Sequence, residues 1–324
     1  MLEKTIPKFF AFVISFSLVS LLFSGCSSVF SGKNGNGNNT NGNYTQNYDK
    51  PKVIGKIQSN EIKESSGIAA SKCQTDVFWT HNDSGDDAFI FAFDKKGEKL
   101  GTWKVADAKN VDWEDIAEVK NPNGECVLYI GDIGNNTRVR DEFTIYRVKE
   151  PQISAGDKSS GKKNPLATED AEAIKFTYPD MRRDAETLMV HPVTGDIYIL
   201  SKRLSGASAV YKLKSGFDLN KTNKLENLGD FSVPAIPNGF LTGGDISPDG
   251  KSVVICDYFN AYELVLPEKA ENFDEIWKET PVTIELGARE QGEAVGFSAD
   301  GKSIFATSEK KNSPLIEVKQ KPAR

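Results

Sequence analysis

The chain has 324 residues, 38% of them hydrophobic and 10% aromatic, with a formal net charge of −6. That is enough apolar material for a packed core and excludes global disorder. The acidic balance, with an isoelectric point near 5.3, lacks the basic footprint that nucleic acid requires, so no nucleic-acid partner is expected.

At the N-terminus, Lys4 and Lys8 lead into an apolar run over residues 9–23, FFAFVISFSLVSLLF, which is short for a membrane span. Ser24-Gly25-Cys26 follows. Charge, apolar run, small residues and cysteine in this order resemble a bacterial lipoprotein signal, with Phe23 where that motif usually has Leu. Residues 1–26 are therefore expected to be a signal peptide, with Cys26 lipidated and the product anchored to a membrane of the cell envelope, outside the cytoplasm. An ordinary secretory signal cleaved nearby is the alternative. Residues 27–50 are rich in Asn, Gly, Ser and Thr and read as a flexible tether. Residues 51–320 read as one folded domain.

That domain repeats itself. The segments ESSGIAAS (64–71), DWEDIAEV (112–119), DAETLMVH (184–191), TGGDISPD (242–249) and QGEAVGFS (291–298) share a period-two apolar strand behind a polar lead-in. Aligned on Ile68, Ile116, Leu188, Ile246 and Val295, the position two residues earlier holds Ser66, Glu114, Glu186, Gly244 and Glu293. Asp115 and Asp245 stand one residue on.

Further strand-like runs follow each lead-in. They cover 76–82, 88–94 and 100–105 in the first unit, then 126–132, 142–148 and 173–179 in the second. The third has 196–202, 209–214 and 227–233, and the fourth 252–258, 261–266 and 282–286. The fifth has only 303–309 and 314–319. Asp-Gly and Gly-Asp pairs punctuate the hairpins. Residues 151–170 read as a soluble insertion, and ENFDEIW as a short helix. A four-stranded antiparallel repeat of roughly 40–50 residues is the mark of a propeller blade. The prediction is an all-β, five-bladed β-propeller. An unassigned strand at 52–58, KVIGKIQ, would complete the fifth blade and cover both exposed edges. A monomer is expected.

Cys73 and Cys126 both fall in the turn between the first and second strands of neighbouring units. An exported compartment permits a bond between them, but the Cα separation decides it. Cys256, within SVVICDYF, reads as a buried free thiol.

In a propeller the lead-in residues meet the loops joining second to third strands on one face. Those loops are HNDSGDD (81–87), GDIGNNTRVRD (131–141), SKRLSGAS (201–208), DYFNA (257–261) and SEKKNS (308–313). Six of the eight arginines, Arg138, Arg140, Arg182, Arg183, Arg203 and Arg289, lie in these loops or just before a lead-in strand. Arginine grips carboxylate or phosphate bidentately, so an anionic small molecule or polar partner is expected on this face. The alternative is that the arginines neutralise an acidic ring. Ser66, Glu114, Glu186, Asp245 and Glu293 would set hard oxygens around the channel, where mutual repulsion favours a bound cation such as Ca²⁺. The competing expectation is that each Glu bonds to backbone N–H groups of the next blade. His81, beside Asn82 and Asp83, could act as acid or base or could orient its loop.

This Ser/Glu/Glu/–/Glu ring on five blades, with the GDIGNN, LSKR and HNDSG segments, resembles the calcium-activated nucleotidases, or secreted apyrases. Gly244 replaces a ring serine, and the second-blade loop lacks the Lys-Glu-Trp part of that pattern. The resemblance implies a central Ca²⁺ and calcium-dependent hydrolysis of phosphoanhydrides or phosphoesters. Arg138 and Arg203 would clamp charge, and Asp83 or Asp132 would activate water. A binding module without turnover and a purely structural envelope protein are the rival readings. The blocks ESSGI, HNDSG, DWEDIA, GDIGNN and DAETL also look like those of bacterial exported propellers to which no activity is attached.

Overall fold

The computed structural model describes residue 45 and residues 47–322; the expected signal peptide, Cys26 and most of the tether lie outside the described residues. Strands in chain order build five small sheets. After β1 (Lys52–Lys56), the first sheet runs β2 (Ala69–Ala70), β3 (Phe78–His81), β4 (Phe89–Phe93) and β5 (Lys99–Ala106). The second starts with β6 (Trp113–Lys120), β7 (Cys126–Asp132) and β8 (Phe143–Lys149). The chain then returns to add β9 (Leu166–Asp170) to the first sheet before β10 (Glu172–Thr177) extends the second. The third holds β11 (Ala185–Val190), β12 (Ile197–Ser201), β13 (Ser208–Leu213) and, after β14 (Asn223–Lys224) at the edge of the second, β15 (Glu226–Phe231). The fourth is β16 (Gly243–Ile246), β17 (Ser252–Cys256), β18 (Asn260–Val265) and β19 (Val282–Glu285). The fifth is β20 (Gly292–Phe297), β21 (Ser303–Ser308) and β22 (Pro314–Lys319).

These sheets form a ring. The innermost strands touch in succession, β2 to β6, β6 to β11, β11 to β16, β16 to β20, and β20 back to β2. The expected five-bladed propeller is what the chain folds into. It closes as its unpaired strand requires: β1 lies antiparallel to β22, with Lys52 opposite Glu317 and Lys56 opposite Pro314. The outer side of β22 is thereby paired, and β1 becomes the edge strand of the fifth blade.

The core is five layers, one between each pair of adjacent blades. Strand alternation makes this possible, because successive side chains leave opposite faces of a sheet. In β4, Phe89, Phe91 and Phe93 pack towards the fifth blade, while Ile90 and Ala92 pack towards the second. Trp79, Trp103 and Trp113 fill the layer between the first two blades, with Trp79 and Trp103 edge to face at 5.1 Å.

Two segments differ from the sequence reading. The 151–170 insertion ends as β9, which pairs parallel to β5 and adds a fifth strand to the first blade. Asn223–Lys224 likewise pairs parallel to β10 on the second. Both are short edge additions with few apolar residues, so periodicity did not mark them. The ENFDEIW segment is a 3₁₀ turn over Phe273–Lys278, capped by Asn272, whose side chain accepts from the Asp274 N–H. Cys73 and Cys126 are joined as a disulfide with Cα atoms 6.0 Å apart, stapling the first blade to the second. Cys256 is free and buried.

Candidate metal centre

Three of the five inner strands carry a β-bulge, and the bulged residue is in each case the lead-in glutamate. In the second blade Trp113 pairs with Asp132 and Asp115 with Gly131, leaving Glu114 unpaired. Glu186 is skipped in the same way between Ala185 and Thr187, and Glu293 between Gly292 and Ala294. A bulge turns a side chain out of the regular alternation. Here the residue so displaced is a buried carboxylate at the start of an innermost strand. In the fourth blade, where Gly244 takes this position, the ladder runs without interruption.

The loops then bring more carboxylates in. Asn82 organises the first-blade loop: its side-chain oxygen accepts from the N–H groups of Lys63 and Glu64, and its amide donates to Glu61 O and Asp86 Oδ2. Asn110 donates to the carbonyls of Asn82 and Asp83 and accepts from the Trp113 N–H, which draws Asp83 against the second blade. Carboxylate oxygens of Asp83, Asp112 and Glu114 consequently lie within 4.8 Å of one another. Glu114 is only 2% exposed, and its Oε1 has no hydrogen-bond partner.

Repulsion and burial leave their mark on these groups. Burial pushes the Asp83 carboxyl up to about 7, helped by Asp112, Glu293 and Glu64 and opposed by the Ser84 N–H. Asp112 is pushed up to about 6 by burial and by Asp184. Glu114 is held well above the usual carboxylate range by burial, Asp83, Glu186 and Asp112. Burial also raises Glu186, and Glu293 adds to it, while Lys202 opposes both. Glu309 is pushed up to about 10 by burial and by the neighbouring Glu293. So Glu114, Glu186 and Glu293 belong to one electrostatic cluster at the channel mouth.

A single backbone hydrogen bond recurs around this mouth. The N–H groups of Asp83, Gly134, Lys202 and Glu309 donate to the carbonyls of Glu64, Asp112, Asp184 and Gln291 in the first, second, third and fifth blades. These four positions are therefore equivalent, and what stands there sets the charge of each sector. Gly134 matters through its missing side chain. A Cβ there would overlap Glu114 Oε1 and fall 2.5 Å from Asp112 Oδ2.

Other predicted site residues are placed as follows. Ser66 is buried in the first blade, and its hydroxyl has no partner. Asp245 is set apart from the glutamates: its oxygens accept from the N–H groups of Ile246 and Phe297, with Lys72 Nζ at 3.9 Å. Asp115 does the same across three blades, accepting from Ile116, Leu188 and Gly244. The inter-blade backbone contacts entertained for the glutamates are thus made by the aspartates one residue on. Asp132 is buried and occupied, accepting from Arg140 at 2.8 Å and from the Asp112 N–H at 3.0 Å. Both contacts fall on its Oδ1.

The arginines separate into two groups. Arg140 donates to the Gly134 carbonyl as well as to Asp132, and Arg289 to the carbonyls of Thr307 and Asp257. Arg182 pairs with Asp141, and Arg183 with Asp180. Arg138 and Arg203 make no ion pair among the described residues. His81 is fully buried, edge to face with Trp113, with Nδ1 3.0 Å from the Asn82 carbonyl. Burial lowers it to about 4, so it is neutral near pH 7 and orients its loop.

Asp112, Gly134, Lys202 and Glu309 were missed as site residues. For Asp112 the signal lay two residues ahead of the repeated glutamate, where Glu64, Asp112, Asp184 and Gln291 recur; the other three pair with that position only through the backbone. No protein-family model matches the chain, and no curated protein matches it. Of the resemblance drawn from the sequence, the five-bladed ring is what the structure shows.

Proposed function

We propose that this propeller binds one calcium ion at the mouth of its channel, through Asp83, Asp112 and Glu114, and presents it to an anionic ligand that Arg138 and Arg203 help to hold. The observation that carries this is Glu114 Oε1, a buried carboxylate oxygen with no donor, facing two further carboxylates. A buried carboxyl oxygen left without a partner is costly. The donors are all hard oxygens, which suits calcium better than zinc or copper. Three protein carboxylates leave coordination positions for water and for an oxygen of the ligand.

Export and lipidation at Cys26 belong to the same proposal. The Cys73–Cys126 disulfide supports an oxidising compartment. The first described residues, around Asn47 and Tyr48, lie beside Gln320 and Lys321, at the end of the ring opposite the site.

Calorimetric titration of the metal-free protein with Ca²⁺ tests the reading. One saturable event is expected, weakened at least about tenfold in Glu114→Gln. No binding, or unchanged affinity in the variant, would contradict it.

A second reading, calcium-dependent hydrolysis of phosphoesters or phosphoanhydrides, is favoured by Asp83. Asp83 stands among the acidic residues of this mouth, and as a carboxylate beside a bound ion it could accept a proton from an attacking water. Bound calcium would polarise a phosphoryl oxygen. Phosphate release from nucleoside diphosphates, abolished in a folded Arg203→Ala variant, is the expected outcome; silence across a broad phosphoester panel rules this reading out.

A further inference from the structure

The cluster at the channel mouth contains one buried amine. Lys202 Nζ lies 2.6 and 2.5 Å from the two oxygens of Glu186. It also sits 4.6 Å from the centre of the Phe240 ring and 5.3 Å from that of Tyr258, which pack edge to face against each other. Glu293 acts on the same amine. The side chain is 13% exposed, and Glu186 beside it 5%. An amine so placed is enclosed by carboxylate and aromatic faces, both of which favour positive charge.

Its position in the repeat gives this meaning. Lys202 occupies the third-blade counterpart of Gly134, as the shared backbone hydrogen bond shows. In the second blade that position is void of side chain, and the adjacent glutamate has an oxygen without a donor. In the third blade the position carries a cation, and both oxygens of the adjacent glutamate are satisfied. One bulged glutamate is left open to a cation from solution, and the other receives one from the chain.

We propose that Lys202 fills the second cation position of the ring, so that the protein takes a single divalent ion and removal of the amine converts the Glu186–Glu293 sector into a second divalent site. The inference rests on the calcium reading above for its first ion. It identifies Lys202 as the residue that sets stoichiometry. Glu186, Glu293 and Glu309 would then supply hard oxygens to the second ion.

The test is the number of Ca²⁺ ions bound by the whole protein, counted by native mass spectrometry and by equilibrium dialysis, for wild type, Lys202→Gln and Lys202→Arg. Expected counts are one, two and one. If wild type binds one ion and folded Lys202→Gln also binds one or none, this inference falls while the calcium reading stands. If wild type binds none and Lys202→Gln binds one, the calcium reading falls and the role of Lys202 is upheld. No ion in either overturns both. Should Lys202→Gln unfold in chelator, Ca²⁺ must restore its melting temperature by more than it raises that of wild type; failure to do so also overturns the inference.

Discussion

Glu114 concentrates the account at the scale of single residues. Its oxygen is buried, lacks a donor and faces Asp83 and Asp112, and Gly134 leaves the space in which these groups meet. The pH behaviour follows from the same crowding. Asp112, Asp83 and Glu309 are pushed up to about 6, 7 and 10 in the folded protein. Their raised values mean that the metal-free fold holds protons more tightly than the unfolded chain. Their contribution to stability is complete below the ordinary carboxylate range and is lost as pH rises through these values. In chelator, the melting temperature should fall between pH 5 and 8. On the calcium reading proposed above, the ion would displace the protons of Asp83 and Asp112, so its affinity should rise over the same window and saturating calcium should reduce the fall. Thermal melts at several pH values, with and without Ca²⁺, check both; a metal-free melting temperature that climbs towards pH 8 would be the wrong sign.

At the scale of elements, the blades were readable because each buries both faces in strict alternation. The second and third strands carry apolar residues at every position or every other one, and these are what period-two reading detects. The closing strand was readable for a different reason: an incomplete fifth unit and an orphan KVIGKIQ segment imply each other. Three features were not readable. The bulges at Glu114, Glu186 and Glu293 leave no apolar signature, since they shift register by one residue without changing composition. Asp112 and Lys202 join the site through backbone contacts across the blade ends, Gly134 N–H to the Asp112 carbonyl and Lys202 N–H to the Asp184 carbonyl, which periodicity does not record. The aspartate staples were invisible because Asp115 and Glu114 are equally acidic, and only their different exits from the strand separate their roles. The layered core makes its own prediction. Phe91 is fully buried between the first and fifth blades, beside the closure. Phe91→Ala should cost about 3–5 kcal/mol by denaturant unfolding; a loss below about 1 kcal/mol would show that this layer does not hold the ring shut.

For the whole molecule, closure and site are one problem. Convergence of carboxylates on an axis is unfavourable, and the ring answers it with β1 on β22, a disulfide between the first two blades and aspartates that bind the backbone of their neighbours. The remaining repulsion is met in two ways, by Lys202 within the chain and, on the reading proposed above, by calcium from outside. Both chain ends described here lie at the opposite end of the ring, so the charged mouth is unobstructed by them. The most direct measurement is an anomalous-difference map from crystals grown with Ca²⁺. A single strong peak bonded to Asp83, Asp112 and Glu114, with none between Glu186 and Glu293, is the result the account predicts. A map without a peak among those three carboxylates at saturating Ca²⁺ would contradict it.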